Sequence, residues 1–186
     1  MTRSGFVLVG GASWRMGRDK ALLPLGGSTM VEQIAAQVRA AAGNATLIGP
    51  VHKYASLNLP IVPDAIENCG PLGGLYTALR VTSADWNVLV ACDMPGVTGV
   101  FLKQLFAAAE ASQADCLVPE SAGKIHPLCA VYHRRLAPAA ESAIHHKLFK
   151  MQDFISTLRT SRWPVPDARL LDNLNTPHDT ETFSLH

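Results

Sequence analysis

The chain of 186 residues carries sixteen Lys and Arg against fifteen Asp and Glu, a formal net charge of +1, with 48% hydrophobic and only 17% charged residues, where an ordinary soluble domain has about 25% charged residues. That composition excludes a disordered protein, and the near-zero net charge removes any overall field that would draw the chain to nucleic acid or an acidic lipid surface. At this length one domain spanning 1–186 is expected, burying roughly 70% of the surface its unfolded chain would expose.

Phe6-Val7-Leu8-Val9 is an unbroken apolar run stopped by Gly10-Gly11, the pattern of a strand buried on both faces in a parallel sheet. Thr29 and Glu32 form a capping box, and Val31, Ile34, Ala35 and Val38 follow at helical spacing, which predicts a helix over 30–42. Short strands are expected at 46–48 and 59–62, a helix at 72–81, and a strand at 87–91 as apolar as the first. Phe101, Leu102, Leu105, Phe106 and Ala109 make a further helical stripe; strands at 116–119 and 127–132, a helix through 138–145 and a helical pattern at 149–158 lead to Leu170-Leu171. Alternation of this kind predicts an α/β three-layer sandwich with a mostly parallel sheet and helices on both faces. Ligands of such sheets bind outside the carboxyl ends of the strands, so the loops starting at Gly10, Asp64 and Cys92 are where chemistry is expected.

Cys69, Cys92, Cys116 and Cys129 are far apart and form no C-x-x-C pair, which fits free thiols in a reducing cytosol. No apolar run approaches the roughly 18 residues of a membrane span, and 6–9 is too short for a signal-peptide core. A cytoplasmic protein with neither nucleic acid nor membrane among its partners is expected.

Three of the sixteen basic residues, Arg15, Arg18 and Lys20, follow Gly10-Gly11 within the loop after the first strand. Glycines let backbone N–H groups approach an anion, and Arg15 and Lys20 supply charge for phosphate oxygens. The spacing fits neither G-x-G-x-x-G nor a P-loop; a surface loop of solvated charges is the alternative. Asp93, within Cys92-Asp93-Met94-Pro95, is the only charged residue between Trp86 and Leu102. A lone carboxylate at the end of a buried strand suits Mg²⁺, which takes one or two carboxylates plus substrate phosphates; the competing role is a turn or helix cap. Asp64 ends the third strand, where its carboxylate could accept the N–H donors of a guanine edge or a ribose hydroxyl. Gly73-Gly74 suggests close approach of backbone to a ligand, against a plain turn with Pro71 opening a helix. Asn173 and Asn175, two apart, could hydrogen-bond a polar heterocycle or simply build an Asx-rich turn. His126, His145 and His146 have no partners at metal spacing.

Taken together, Leu8-Val9-Gly10-Gly11, Ser13, Arg15-Met16-Gly17, Asp19-Lys20, Pro24, Gly70 to Gly74, Cys92 to Pro95 and Asn173 to Pro177 resemble the molybdenum cofactor guanylyltransferases, in order along nearly the whole chain. The N-terminal motif alone is shared with cytidylyl and sugar-phosphate nucleotidyltransferases; the double glycine, G-P-L-G-G and N-x-N-T-P point to the guanylyl branch. The resemblance implies a Rossmann-like fold of the nucleotide-diphospho-sugar transferase type. The implied reaction is transfer of GMP from GTP to the terminal phosphate of molybdenum-bound molybdopterin, with Mg²⁺ as cofactor and pyrophosphate released. It further implies that Leu8, Val9, Gly10, Gly11 and Gly73 hold the nucleotide, Arg15 and Lys20 the phosphates, Asp64 the nucleoside, Asp93 the metal, and Asn173 and Asn175 the pterin. Molybdenum-cofactor biosynthesis proteins or recipient apoenzymes are implied partners. Three positions depart from the family pattern: Val9 replaces the usual alanine, Gly49 stands where relatives often carry an asparagine near the base or ribose, and His178 replaces an acidic residue. The alternatives are a cytidylyl or sugar-phosphate nucleotidyltransferase, or a non-catalytic nucleotide- or cofactor-binding adaptor.

Overall fold

The computed structural model describes residues 1–10, 19–25 and 27–174. In chain order its strands are β1 (Arg3–Leu8), β2 (Pro24–Leu25), β3 (Ser28–Thr29), β4 (Thr46–Ile48), β5 (Ile61–Val62), β6 (Trp86–Ala91), β7 (Cys116–Ser121), β8 (Lys124–Ile125), β9 (Cys129–His133) and β10 (Thr160–Pro164). The helices are α1 (Met30–Ala42), α2 (Val51–Tyr54), α3 (Gly70–Val81), α4 (Gly99–Ala111), α5 (Ala137–His145) and α6 (Met151–Ser156). Helix α1 has the expected bounds because its ends are specified chemically. The Thr29 side chain accepts from the Glu32 N–H, the Glu32 carboxylate accepts from the Thr29 N–H at 2.8 Å, and Gly43 closes the helix at φ +84°.

The main sheet runs β10-β7-β9-β6-β1-β4-β5, with β8 paired to β7; β2 and β3 form a separate two-stranded ribbon. Pairs β1–β4, β1–β6, β4–β5 and β7–β10 are parallel, and β9 runs antiparallel between β6 and β7. The expectation of a mostly parallel sheet holds. Strand β6 is buried from end to end because both faces of the sheet are covered. Val88 and Val90 pack among residues of α1 and α4, while Leu89 packs among those of α3, α5 and α6. This is the three-layer arrangement expected from the sequence.

Several boundaries differ from expectation. Strand β1 starts earlier and stops at Leu8; Val9 instead donates its N–H to the Ile48 carbonyl at 3.0 Å, just beyond the strand. The strand expected at 127–132 begins at Cys129, because the His126 carbonyl accepts from the Cys129 N–H in a turn. The helix expected at 149–158 is confined to α6, entered from a turn with Lys147 at φ +60°. Strand β10 and helix α2 carry no apolar periodicity, and Leu170-Leu171 falls in a 3₁₀ turn over Ala168–Leu171.

Candidate active site

Chain order places the site. From β1 the chain builds outward to β4 and β5, then returns through α3 to β6 on the other side of β1. The reversal leaves a crevice at the carboxyl ends of β1 and β6, the position where open α/β sheets bind ligands. The strands are in register with Leu8 beside Ala91, and the Cys92 N–H donates to the Leu8 carbonyl at 3.2 Å. Val9-Gly10 and Cys92-Asp93 therefore leave the sheet side by side.

They open into a cavity of about 740 Å³ whose wall includes Leu8, Val9, Gly10, Lys20, Asp64, Asp93 and Asn173. Seven expected site residues thus meet in one place. Gly11, Arg15 and Asn175 lie outside the described residues. Gly73 is buried behind the wall, and the adjacent Gly74 is on it. The glycine pair also has a packing cause: a Cβ on Gly74 would stand 2.4 Å from Leu8 Cδ2, and one on Gly73 would stand 2.9 Å from Cys69 Cβ. The bare Gly74 lets α3 lie directly on β1, and the bare Gly73 lets the first turn of α3 close on Cys69.

Asp93 is the most exacting group in the site. Its Oδ1 is buried and has no hydrogen-bond partner among the described residues. Burial pushes its carboxyl above the usual range, opposed by the nearby Lys20 ammonium. Its backbone carbonyl accepts from the Leu174 N–H at 2.8 Å, and the Lys20 Nζ lies 3.5 Å from the Leu174 carbonyl. Segment 172–174 is thereby held across Asp93, which brings Asn173 to the cavity. An unsatisfied carboxylate oxygen on a residue that lines the cavity alongside Lys20 and Asp64 is a fit for a hard divalent cation that draws its other ligands from substrate phosphates and water.

Asp64 lines the same cavity, just beyond β5, and burial followed by the like charge of Glu67 raises its carboxyl. Its turn is fixed to α3 by the buried Thr77 hydroxyl, which accepts from the Ala65 N–H at 2.9 Å and donates to the Gly73 carbonyl at 2.8 Å. Sequence reasoning missed Glu67, Asn68 and Cys69 as part of the wall. The α3 N-terminus beside them has no side-chain cap, so its first N–H groups are left to other acceptors. The signal that could have found these residues is their place directly before Gly70-Pro71, a helix start at a strand's carboxyl end.

Gly49 has a structural cause. At φ +150° it presses against β1's extension so closely that a Cβ would lie 2.4 Å from the Val9 carbonyl oxygen. A side chain at this position would require Val9 to move.

The family model described as the MobA-like NTP transferase domain matches residues 5–161. The "Probable molybdenum cofactor guanylyltransferase" of Carboxydothermus hydrogenoformans is 34% identical over 94% of this chain and 91% of its own. The molybdenum cofactor guanylyltransferase of Cereibacter sphaeroides is 32% identical over 94% of this chain and 92% of its own. Among solved structures, the molybdopterin-guanine dinucleotide biosynthesis protein A of Archaeoglobus fulgidus superposes with a TM-score of 0.83 at 25% identity, covering 98% of this chain and 97% of that one.

Proposed function

The chain belongs to the MobA-like NTP transferase family, and from that premise we propose that it transfers GMP from GTP to the terminal phosphate of molybdenum-bound molybdopterin, releasing pyrophosphate. The observation that carries this reading is the convergence of Gly10, Lys20, Asp64 and Asp93, whose buried Oδ1 has no hydrogen-bond partner among the described residues, on one cavity at the β1/β6 switch point. A triphosphate needs cationic and N–H groups at one end of its site and nucleoside acceptors at the other, and Lys20 and Asp64 are placed to supply them.

The chemistry asks little of acid–base catalysis. A phosphate oxygen of the acceptor attacks the α-phosphorus of GTP, the bond to the β-phosphate oxygen breaks, and the electron pair leaves with pyrophosphate. The acceptor is already a nucleophile, so the protein's task is alignment and neutralisation of charge. In this reading Lys20, joined by Arg15, holds the phosphates, and Leu8, Val9, Gly10 and Gly11 form the floor beneath the nucleotide. Asp64 accepts from the ribose or guanine, Gly73 backs the nucleotide from the first turn of α3, and Asn173 with Asn175 orients the pterin. Asp93 would hold Mg²⁺, which when bound would neutralise phosphate charge that Lys20 and Arg15 leave uncompensated. The reaction is assigned to the cytoplasm, with molybdenum-cofactor biosynthesis proteins or recipient apoenzymes as partners. No helix among the described residues is long and apolar enough to cross a membrane.

The test is turnover of GTP, CTP and ATP in parallel, with Mg²⁺ and molybdenum-loaded molybdopterin, followed by pyrophosphate release. GTP is expected to give the highest kcat/KM. Preferential turnover of CTP would sink the guanylyl assignment, and tight GTP binding without pyrophosphate release would leave an adaptor.

A further inference from the structure

We propose that Tyr54 is a positioning residue for the phosphate end of this site, its phenol fastening Asp19, the stem that follows segment 11–18 and leads into Lys20. The proposal rests on the nucleotidyl-transfer reading for its functional consequence, and on hydrogen-bond geometry for the clasp itself. Tyr54 ends the short helix α2 and is only 1% exposed. Its hydroxyl donates to Asp19 Oδ2 at 2.7 Å, and the other oxygen of the same carboxylate accepts from the Ala21 N–H at 3.1 Å. That second bond caps the 3₁₀ turn Lys20–Leu22 and so fixes the backbone from which the Lys20 side chain departs. On the opposite stem, Gly10 packs beside the same phenol: a Cβ on Gly10 would lie 3.9 Å from its oxygen.

Packing alone does not call for this hydroxyl. The ring fills the cluster formed by β1, β4 and α1, as a phenylalanine would. What the hydroxyl adds is a tie from α2 to the Asp19 stem, the segment that borders the cavity and carries Lys20. A buried hydroxyl donating to one carboxylate oxygen keeps that carboxylate, and the turn it caps, in a single orientation, so the Lys20 stem is set before nucleotide arrives. The phenol remains a donor throughout the neutral range, since burial and the Asp19 carboxylate both disfavour its ionisation.

The test uses Tyr54→Phe, which keeps the ring, together with Asp19→Asn and the double variant. Amide hydrogen exchange of the nucleotide-free protein reads the clasp directly: Tyr54→Phe should speed exchange at the Ala21 N–H roughly tenfold, while α3 and α4 amides are unchanged. Calorimetry with GTP and Mg²⁺, without acceptor, should show Kd rising roughly tenfold, the scale of one hydrogen bond to a charged group. Steady-state kinetics should show the same rise in KM for GTP with the KM for molybdenum-loaded molybdopterin unchanged. The double variant should lose no more than Asp19→Asn alone. Unchanged Ala21 exchange in Tyr54→Phe would overturn the clasp, and wild-type GTP affinity in that variant would overturn its role in the site. Equal losses in both KM values with a collapsed melting temperature would reduce Tyr54 to a core residue. If the wild-type protein bound no GTP, the nucleotidyl-transfer reading would fall and with it the functional half of the proposal, while the exchange result would still decide the clasp.

Discussion

Replacing Asp93 by Asn separates function from stability, because the two should move in opposite directions. The carboxylate is held at the end of β6 with Oδ1 buried and unpartnered, and burial raises its proton affinity. The folded protein therefore bears a penalty for carrying this charge. The sign follows from proton linkage: with the folded pKa above the unfolded one, the favourable contribution exists below the unfolded pKa and is lost as pH rises through the folded pKa. At pH 7 the penalty is complete, and Asp93→Asn should be as stable as wild type or more so by up to about 1 kcal/mol, a rise of roughly 2–4 °C in melting temperature. Near pH 3 the wild-type carboxyl is protonated and that gain should vanish. Activity should fall about 10²–10³-fold or more, the loss expected on deleting a group that organises transition-state charge. The assay is a pair of thermal melts, at pH 7 and pH 3, with Mg²⁺-dependent pyrophosphate release at pH 7. A variant that keeps near-wild-type turnover would refute the role of Asp93. One that is several degrees less stable at pH 7 would refute the claim that the carboxylate is a cost to the fold.

Three further outcomes are expected. Gly49→Ala places a Cβ 2.4 Å from the Val9 carbonyl at a φ of +150°, and should cost about 2–3 kcal/mol in urea denaturation; a loss under 0.5 kcal/mol would show that Val9 yields easily. Asp115 receives Arg135 at 2.7 Å and Arg159 at 3.1 Å, and hydrogen bonding from Arg159 leads the causes that hold its carboxyl low. Asp115→Asn should lose about 1 kcal/mol at pH 7, and the difference should disappear as pH falls through the depressed folded pKa; a difference that persists at pH 2 would place the effect in packing instead. Thr29→Ala removes the side chain that receives the Glu32 N–H and should cost about 1 kcal/mol in the same denaturation assay, with no effect on KM for GTP.

Local chemistry was legible wherever it acted locally. The Thr29 and Glu32 side chains state where α1 begins, and the unbroken apolar run of β6 states that both of its faces are covered. The position of the site followed from alternation, since loops at Gly10, Asp64 and Cys92 must emerge at the same edge of a parallel sheet. Strands that depend on a neighbour were not legible. Thr160–Pro164 is a polar edge strand made by pairing to β7, and β9 acquires its antiparallel direction from the Ala122-Gly123 turn between β7 and β8. Gly73-Gly74 signalled close approach without saying of what; among the described residues the approaching groups are Cys69 and Leu8. The bond from Tyr54 to Asp19 joins residues 35 apart in sequence, and no spacing rule reaches across that distance.

The claim at the centre of this account is transfer at the α-phosphorus of a guanine nucleotide. It is tested most directly by following label from [α-³²P]GTP and [γ-³²P]GTP into products with molybdenum-loaded molybdopterin and Mg²⁺. The α-label should appear in a pterin dinucleotide and the γ-label in pyrophosphate, with unlabelled CTP competing poorly. Transfer of the γ-label to the pterin, or α-label entering the product from CTP at least as efficiently as from GTP, would contradict it.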